Sequence, residues 1–212
     1  GGIMAIDPAG RGGDETAYCV VKMLNGFLYV TQAGGLAGGY GEEVMKKLTK
    51  IAKDNKVNLI LIESNFGDGM FTELLKPYLL REYPCTTEEV RHNIQKERRI
   101  IDTLEPVLCQ HRLVLDIAVI KNDYESTKAY ASEKALQFSL IWQLSRISRA
   151  KGSLYHDDRL DCLSMAVGFW ADKMAQDADR KMANFREQML QKELERFMEH
   201  AVGHRPKEDS WM

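Results

Sequence analysis

Two apolar runs, residues 17–24 and 27–31, meet at Asn25-Gly26. That dipeptide suits the two-residue turn of a β-hairpin, because both of its positions tolerate positive φ. With the short apolar run 3–6 ahead of them, these segments predict three strands opening the chain as a meander. The glycine-rich stretch 34–41 is then expected to release the chain into a helix over 42–54, where Val44, Leu48, Ile51 and Ala52 recur at helical spacing. Residues 57–62 are almost continuously apolar and of strand length, the pattern of a central strand covered on both faces.

Gly67-Asp68-Gly69 breaks the chain before a helix predicted over 70–81, with Phe71, Leu74, Leu75 and Leu79 inward. Pro84 ends that unit, and 86–90 is a short extended stretch. A helix over 96–110 carries Ile100, Leu104 and Leu108 on one stripe, and Leu113-Val114-Leu115 gives another strand. Residues 124–149 read as one long helix with Leu136, Leu140, Ile141 and Leu144 inward, and 158–173 as the last core helix. From 175 the apolar residues thin to Met182, Phe185, Met189, Leu194 and Phe197, which predicts an exposed helix with a frayed polar end at 203–209. The division is therefore a core domain over 1–174 and a helical tail over 175–212. Strands followed by alternating helices and strands describe an α/β domain with a mixed central sheet and helices on both faces. Such folds place their chemistry at the C-terminal ends of sheet strands.

The totals narrow the function. A chain of 212 residues with 44% hydrophobic content can bury one sizeable core. A net charge of -2 supplies no global positive field, so any nucleic-acid contact must come from local basic patches. The four cysteines (Cys19, Cys85, Cys109, Cys162) form no CxxC pair and read as reduced core residues. No stretch approaches the roughly 20 apolar residues of a membrane span, so no membrane partner is expected. A start at Gly1-Gly2 without methionine predicts a segment cut from a longer parent.

Carboxylates end three of the apolar segments: Asp7 after Ile3-Met4-Ala5-Ile6, Glu63 after Ile62, and Asp157, Asp158 and Asp161 entering the last core helix. Aspartate before proline also opens turns, so Asp7 is ambiguous by itself. Glu63 is harder to explain structurally, because a glutamate ending a buried strand is costly to desolvate unless paired or metal-bound. In His156-Asp157-Asp158-Arg159-Leu160-Asp161, Asp158 and Asp161 share a helical face. One acid at a helix start is an ordinary cap, but three in five residues repel one another and a bound cation offsets them. Oxygen ligands of this kind suit Mg²⁺ or Mn²⁺, and a pair of ions about 4 Å apart can clamp the attacking and leaving oxygens of a phosphodiester displacement. His156 is a candidate ligand or proton carrier, alongside its more common structural role.

These residues resemble a known family, the C-terminal nuclease domain of the large terminase subunit of tailed bacteriophages, which has a ribonuclease H-like, RuvC-like fold. The matching pieces are Ile6-Asp7-Pro8-Ala9-Gly10, Ile62-Glu63-Ser64-Asn65, Lys96-Glu97-Arg98-Arg99-Ile100 leading into Leu104-Glu105-Pro106, and the segment from His156 to Asp161. The resemblance implies a metal-dependent endonuclease, using two Mg²⁺ or Mn²⁺ ions, that cuts concatemeric double-stranded viral DNA during genome packaging. Carried over residue by residue, Asp7, Glu63, Asp158 and Asp161 would be catalytic and hold metal, with Asp157 and His156 as further candidate ligands. Lys96, Arg98 and Arg99, with Arg11, would face the DNA backbone, where each neutralised phosphate adds salt sensitivity. It implies as partners an N-terminal ATPase motor in the parent chain, the portal or procapsid and a small terminase subunit, and as its place the cytoplasm of the infected bacterial host. No G-x-x-x-x-G-K-[ST] phosphate loop occurs here, so this segment should cut without translocating. RuvC-type junction resolvases and transposase-like nucleases would use the same carboxylates on other DNA shapes. A nucleotide-binding relative of the actin and sugar-kinase type needs duplicated domains, for which the chain is too short, and it has no role for Asp158-x-x-Asp161.

Overall fold

The computed structural model describes residues 1–9, 15–64, 69–131 and 133–203, with residues 201–203 described by backbone alone. Strands β1 (Gly2–Asp7), β2 (Thr16–Leu24) and β3 (Phe27–Leu36) form the opening antiparallel meander. Asn25 and Gly26 turn it with φ of 52° and 80°, the left-handed pair that a tight hairpin requires. After α1 (Glu42–Asp54), β4 (Val57–Glu63) lies parallel to β1. Helix α2 (Met70–Glu82) leads to β5 (Thr86–Val90), which extends the sheet in parallel beyond β4. Helix α3 (Lys96–Cys109) leads to β6 (Leu113–Leu115), which pairs in parallel with β3 at the other edge. The order is β5-β4-β1-β2-β3-β6, a mixed sheet of six strands. The helices that follow are α4 (Ile117–Thr127), a 3-10 turn at Ala135–Phe138, α5 (Leu140–Arg146) and α6 (Asp158–Gly203).

Alternation along the strands divides the core between two faces. Met4, Ile6, Val20, Ile60 and Ile62 pack with Val44, Met45 and Leu48 of α1 and Phe71, Leu75 and Leu79 of α2. Ile3, Ala5, Cys19 and Val21 point the other way, and there Trp170 of α6 donates its indole N–H to the Val21 carbonyl at 3.1 Å. Gly168 of α6 faces Thr103 of α3 on the same side. The chain divides into two compact units, Gly1–Trp170 and Ala171–Met212, and the division falls within α6. The second unit exposes Phe185, Leu190, Leu194 and Phe197. No helix among the described residues is long and apolar enough to cross a membrane.

The structure departs from the expected elements in four places. Strand β3, expected to end at residue 31, continues to Leu36; Gly34 lies tightly against the Tyr18 hydroxyl, and a side chain at Gly35 would overlap the Glu15 carboxylate. The single helix expected over 124–149 is broken. Helix α4 stops at Thr127 and α5 begins at Leu140, capped by Ser139, which accepts from the Trp142 amide. Leu74, Leu108 and Leu136, expected inward, are exposed, while Thr72 and Val107 take the inner positions. All four cysteines are free as expected, but only Cys19 and Cys162 are core residues; Cys85 is half-buried and Cys109 exposed. The loop carrying Arg11 and the Gly67-Asp68 break lie outside the described residues.

Candidate metal centre

β1 and β4 run side by side in parallel with Ile6 opposite Ile62, so the residues that follow, Asp7 and Glu63, emerge together at the C-terminal edge of the sheet. Helix α6 starts at Asp158, and the Asp161 amide donates to the Asp157 carbonyl at 2.8 Å in its first turn. This sets the Asp161 side chain inward against the sheet, at 0% exposure. Asp7, Glu63 and Asp161 each offer a carboxylate oxygen within 4.8 Å of the others. Asp158 and Asp157 stand beside this group, and Lys96 ties the set together. Its ammonium lies 2.8 Å from Asp157, 3.1 Å from Asp161, 3.6 Å from Asp7 and 3.7 Å from Asp158. Arg99, one helical turn later on α3, lies 2.8 Å from Asp161 Oδ1 and 3.9 Å from Glu63 Oε1.

The electrostatics follow from like charges held out of water. Burial pushes the Asp7 carboxyl well above the usual carboxylate range; Lys96 pulls it back, while Glu63, Asp158 and Asp161 push it further up. Burial alone would lower the Lys96 ammonium, but Asp161, Asp7 and Asp157 raise it well above the ordinary lysine value, so it stays charged. His92, between β5 and α3, is pushed down by burial and then by Arg99. An all-oxygen donor set from three separate elements, with more negative than positive charge around it, fits a hard divalent cation such as Mg²⁺ or Mn²⁺.

The raised Asp7 value carries a sign that can be measured. A carboxyl whose folded pKa exceeds its unfolded one costs the fold stability as pH rises between the two, and the full cost remains above the folded value. Asp7→Asn is therefore expected to raise the melting temperature at pH 8 in the presence of chelator. The gain should shrink toward zero below about pH 4, where the unfolded carboxyl is protonated as well. Thermal melts by circular dichroism at the two pH values check this, and a lower melting temperature for the variant at pH 8 would contradict it.

Several candidates stand elsewhere than expected. Lys96 and Arg99, expected on a DNA-facing surface, point into the acids, because unbalanced carboxylates nearby outweigh solvent as partners. Arg98 is exposed on the same helix. His156 is stacked on Phe138, with ring centroids 3.9 Å apart, and is not a member of the three-acid group. Glu15, Asp123 and Arg159 went unnoticed in the sequence, yet they form a buried ion-pair network behind the centre. The one available signal was an arginine inside the apolar stretch of a core helix, a position that demands buried acids.

Residues 6–113 match the family described as Terminase Bacteriophage T7, Ribonuclease H-like domain. The terminase large subunit of Enterobacteria phage T3 is 43% identical over 202 residues, which is 95% of this chain and 34% of that protein. The chain thus spans about a third of the length of this relative. Among solved structures, the human cytomegalovirus terminase nuclease domain, Mn soaked and inhibitor bound, superposes with a TM-score of 0.54 at 10% identity, covering 78% of this chain and 80% of that one. A mutant nuclease domain of the large terminase subunit gp2 of bacterial virus Sf6, with manganese, gives 0.54 at 11% identity, covering 78% and 87%. These two likenesses show that the chain shares its fold with those domains.

Proposed function

The chain belongs to the Terminase Bacteriophage T7, Ribonuclease H-like domain family, and from that premise we propose that it is the metal-dependent endonuclease segment of a terminase large subunit, cutting concatemeric double-stranded viral DNA as packaging starts and ends. The observation that carries this is the convergence of Asp7, Glu63 and Asp161, from two neighbouring strand ends and a helix start, on one oxygen-lined point. These three would hold a divalent ion, and Asp158 at the rim would share a second. Mg²⁺ or Mn²⁺ bound there supplies Lewis-acid stabilisation of the charge that develops as the phosphodiester is displaced. Manganese in both structural neighbours supports the choice of ion.

The chain's own residues do the rest. Asp7 and Glu63 are held by rigid paired strands, so their carboxylates are preorganised at the site. Arg99 orients Asp161 by lying 2.8 Å from its Oδ1. Lys96 brings a permanent positive charge to the rim, beside the position of the scissile phosphate, and exposed Arg98 extends that charge toward the DNA backbone.

The T3 relative is about three times as long as the segment it shares with this chain. The same proposal therefore includes an ATPase motor domain in the parent protein, with portal or procapsid and a small terminase subunit as partners, acting in the cytoplasm of the infected bacterium. Supercoiled plasmid incubated with the protein and Mn²⁺ should become nicked and then linear, and EDTA should stop the reaction. Glu63→Gln should lose the activity while keeping the wild-type circular dichroism spectrum. Equal nicking by Glu63→Gln and wild type would remove the acids from the chemistry. Preference for a four-way junction over linear duplex would move the assignment toward a resolvase.

A further inference from the structure

Arg159 stands between Asp158 and Asp161 in the first turn of α6 and is wholly buried, yet its guanidinium turns toward a second pair of acids. Its Nε and Nη2 donate to the two Glu15 oxygens at 2.6 and 2.8 Å, a bidentate clamp, and its Nη1 donates to Asp123 Oδ1 at 2.8 Å and Ser126 Oγ at 2.7 Å. Asp123 is fully engaged besides, accepting from the Leu140 amide at 2.9 Å, Ser139 Oγ at 2.7 Å and the Ile141 amide at 3.3 Å. The Tyr130 hydroxyl donates to Glu15 as well. Two buried carboxylates and one guanidinium are thus balanced by neutral donors, with little hydrogen-bonding capacity left over.

The network joins three parts of the chain to the start of α6. Glu15 immediately precedes β2, the strand paired with β1, which ends at Asp7. Asp123 lies on α4 and binds the first amides of α5. On α5, Gln143 Oε1 accepts from the Leu160 amide at 3.0 Å. Tyr130 stacks on Phe138, and Phe138 stacks on His156. Residues 156, 159 and 160 are therefore each tied to a different partner, on either side of the acids they flank. Buried ion pairs are weak grounds for stability, since apolar residues of equal volume often do as well. What a bidentate clamp supplies is direction, and ligands of a metal centre must be held to within about 0.5 Å.

We propose that Arg159, seated between Glu15 and Asp123, is a positioning residue of the metal centre, setting the rotation and depth of α6 so that Asp161 meets Asp7 and Glu63. The inference rests on the metal-centre assignment made above. Its test is the neutral triple variant Glu15→Gln, Asp123→Asn, Arg159→Met, which removes the clamp without leaving a buried charge. With a wild-type circular dichroism spectrum, it should bind Mn²⁺ 10- to 100-fold more weakly by calorimetry, and the electron paramagnetic resonance line shape of the bound ion should change. Its kcat should fall while KM for plasmid DNA stays within about twofold, since the DNA-facing surface is untouched. A Mn²⁺ affinity within twofold of wild type would overturn the proposal. Asp161→Asn, measured in parallel, separates the two layers: if it also binds Mn²⁺ like wild type, the metal centre itself is misassigned. Should the triple variant not fold, Gly35→Ala puts one methyl group where the Glu15 carboxylate now sits, with no change of charge. In that variant a 10-fold or greater loss of Mn²⁺ affinity supports the clamp, and wild-type affinity overturns it.

Discussion

Replacing Asp161 by asparagine should lower Mn²⁺-dependent plasmid nicking by about 10³, the rate equivalent of several kcal/mol of lost charge stabilisation. Asp158→Asn should lower it by only about 10- to 100-fold, the usual cost of disturbing a group outside the tight ligand set. The two acids lie three residues apart on one helix and are interchangeable in the sequence pattern, but their surroundings separate them. Asp161 is fully buried and shares the three-acid group with Asp7 and Glu63. Asp158 is outside that group, with 24% of its side chain exposed and its Oδ1 3.7 Å from Lys96. Asparagine at 161 keeps the shape and still offers an oxygen to Arg99, so the loss should be chemical rather than structural. Single-turnover nicking rates of the two variants, beside their melting curves, decide the matter. A larger loss at Asp158 would reverse the assignment.

The largest stability effect should come from Arg159→Met taken alone. It leaves Glu15 and Asp123 buried at 2% and 1% exposure without their shared cation. Breaking one side of such a pair costs about 3–5 kcal/mol, because the remaining charge is desolvated and uncompensated. For a domain whose whole stability is about 5–15 kcal/mol, that is about a fifth or more of the total. Urea unfolding in EDTA, which removes any contribution from bound metal, should show the midpoint fall sharply. Making Glu15→Gln and Asp123→Asn in the same chain should recover most of the loss, since no orphaned charge remains. A loss below about 1 kcal/mol for the single variant would mean that water or another cation reaches the acids.

Local rules made the hairpin legible, because Asn25 and Gly26 need nothing beyond their own φ to turn the chain. Asp7 and Glu63 could be paired on paper for a similar reason: both follow apolar runs that had to be neighbouring buried strands. Helix α1 was also clear, since Val44, Leu48 and Ala52 of its apolar spacing are buried as expected. Elsewhere distant partners overruled local signals. The apolar repeat over 124–149 continues through a break made by Asp123, whose side chain captures the amides of Leu140 and Ile141. The ion pairs of Lys96 and Arg99 could not be read from the sequence, because their partner Asp161 lies 62 residues from Arg99 and only the fold brings it opposite them. Arg159 was hidden most completely, because its two acids lie 144 and 36 residues away and no periodicity connects them.

The reach of that last pairing bears on when, during its own synthesis, the protein can become a nuclease. The strand ending in Asp7 is made first, but the third acid and the guanidinium that neutralises Glu15 and Asp123 both arrive on the last helix of the core. At about 5–20 residues per second, an interval on the order of 10–30 s separates translation of the first acid from the last. Throughout it the nascent chain carries incomplete ligands and uncompensated acids, neither of which favours a closed site. On the proposed reading, the metal centre draws its ligands from both ends of the domain, so the nascent chain cannot complete it until the start of α6 has been made.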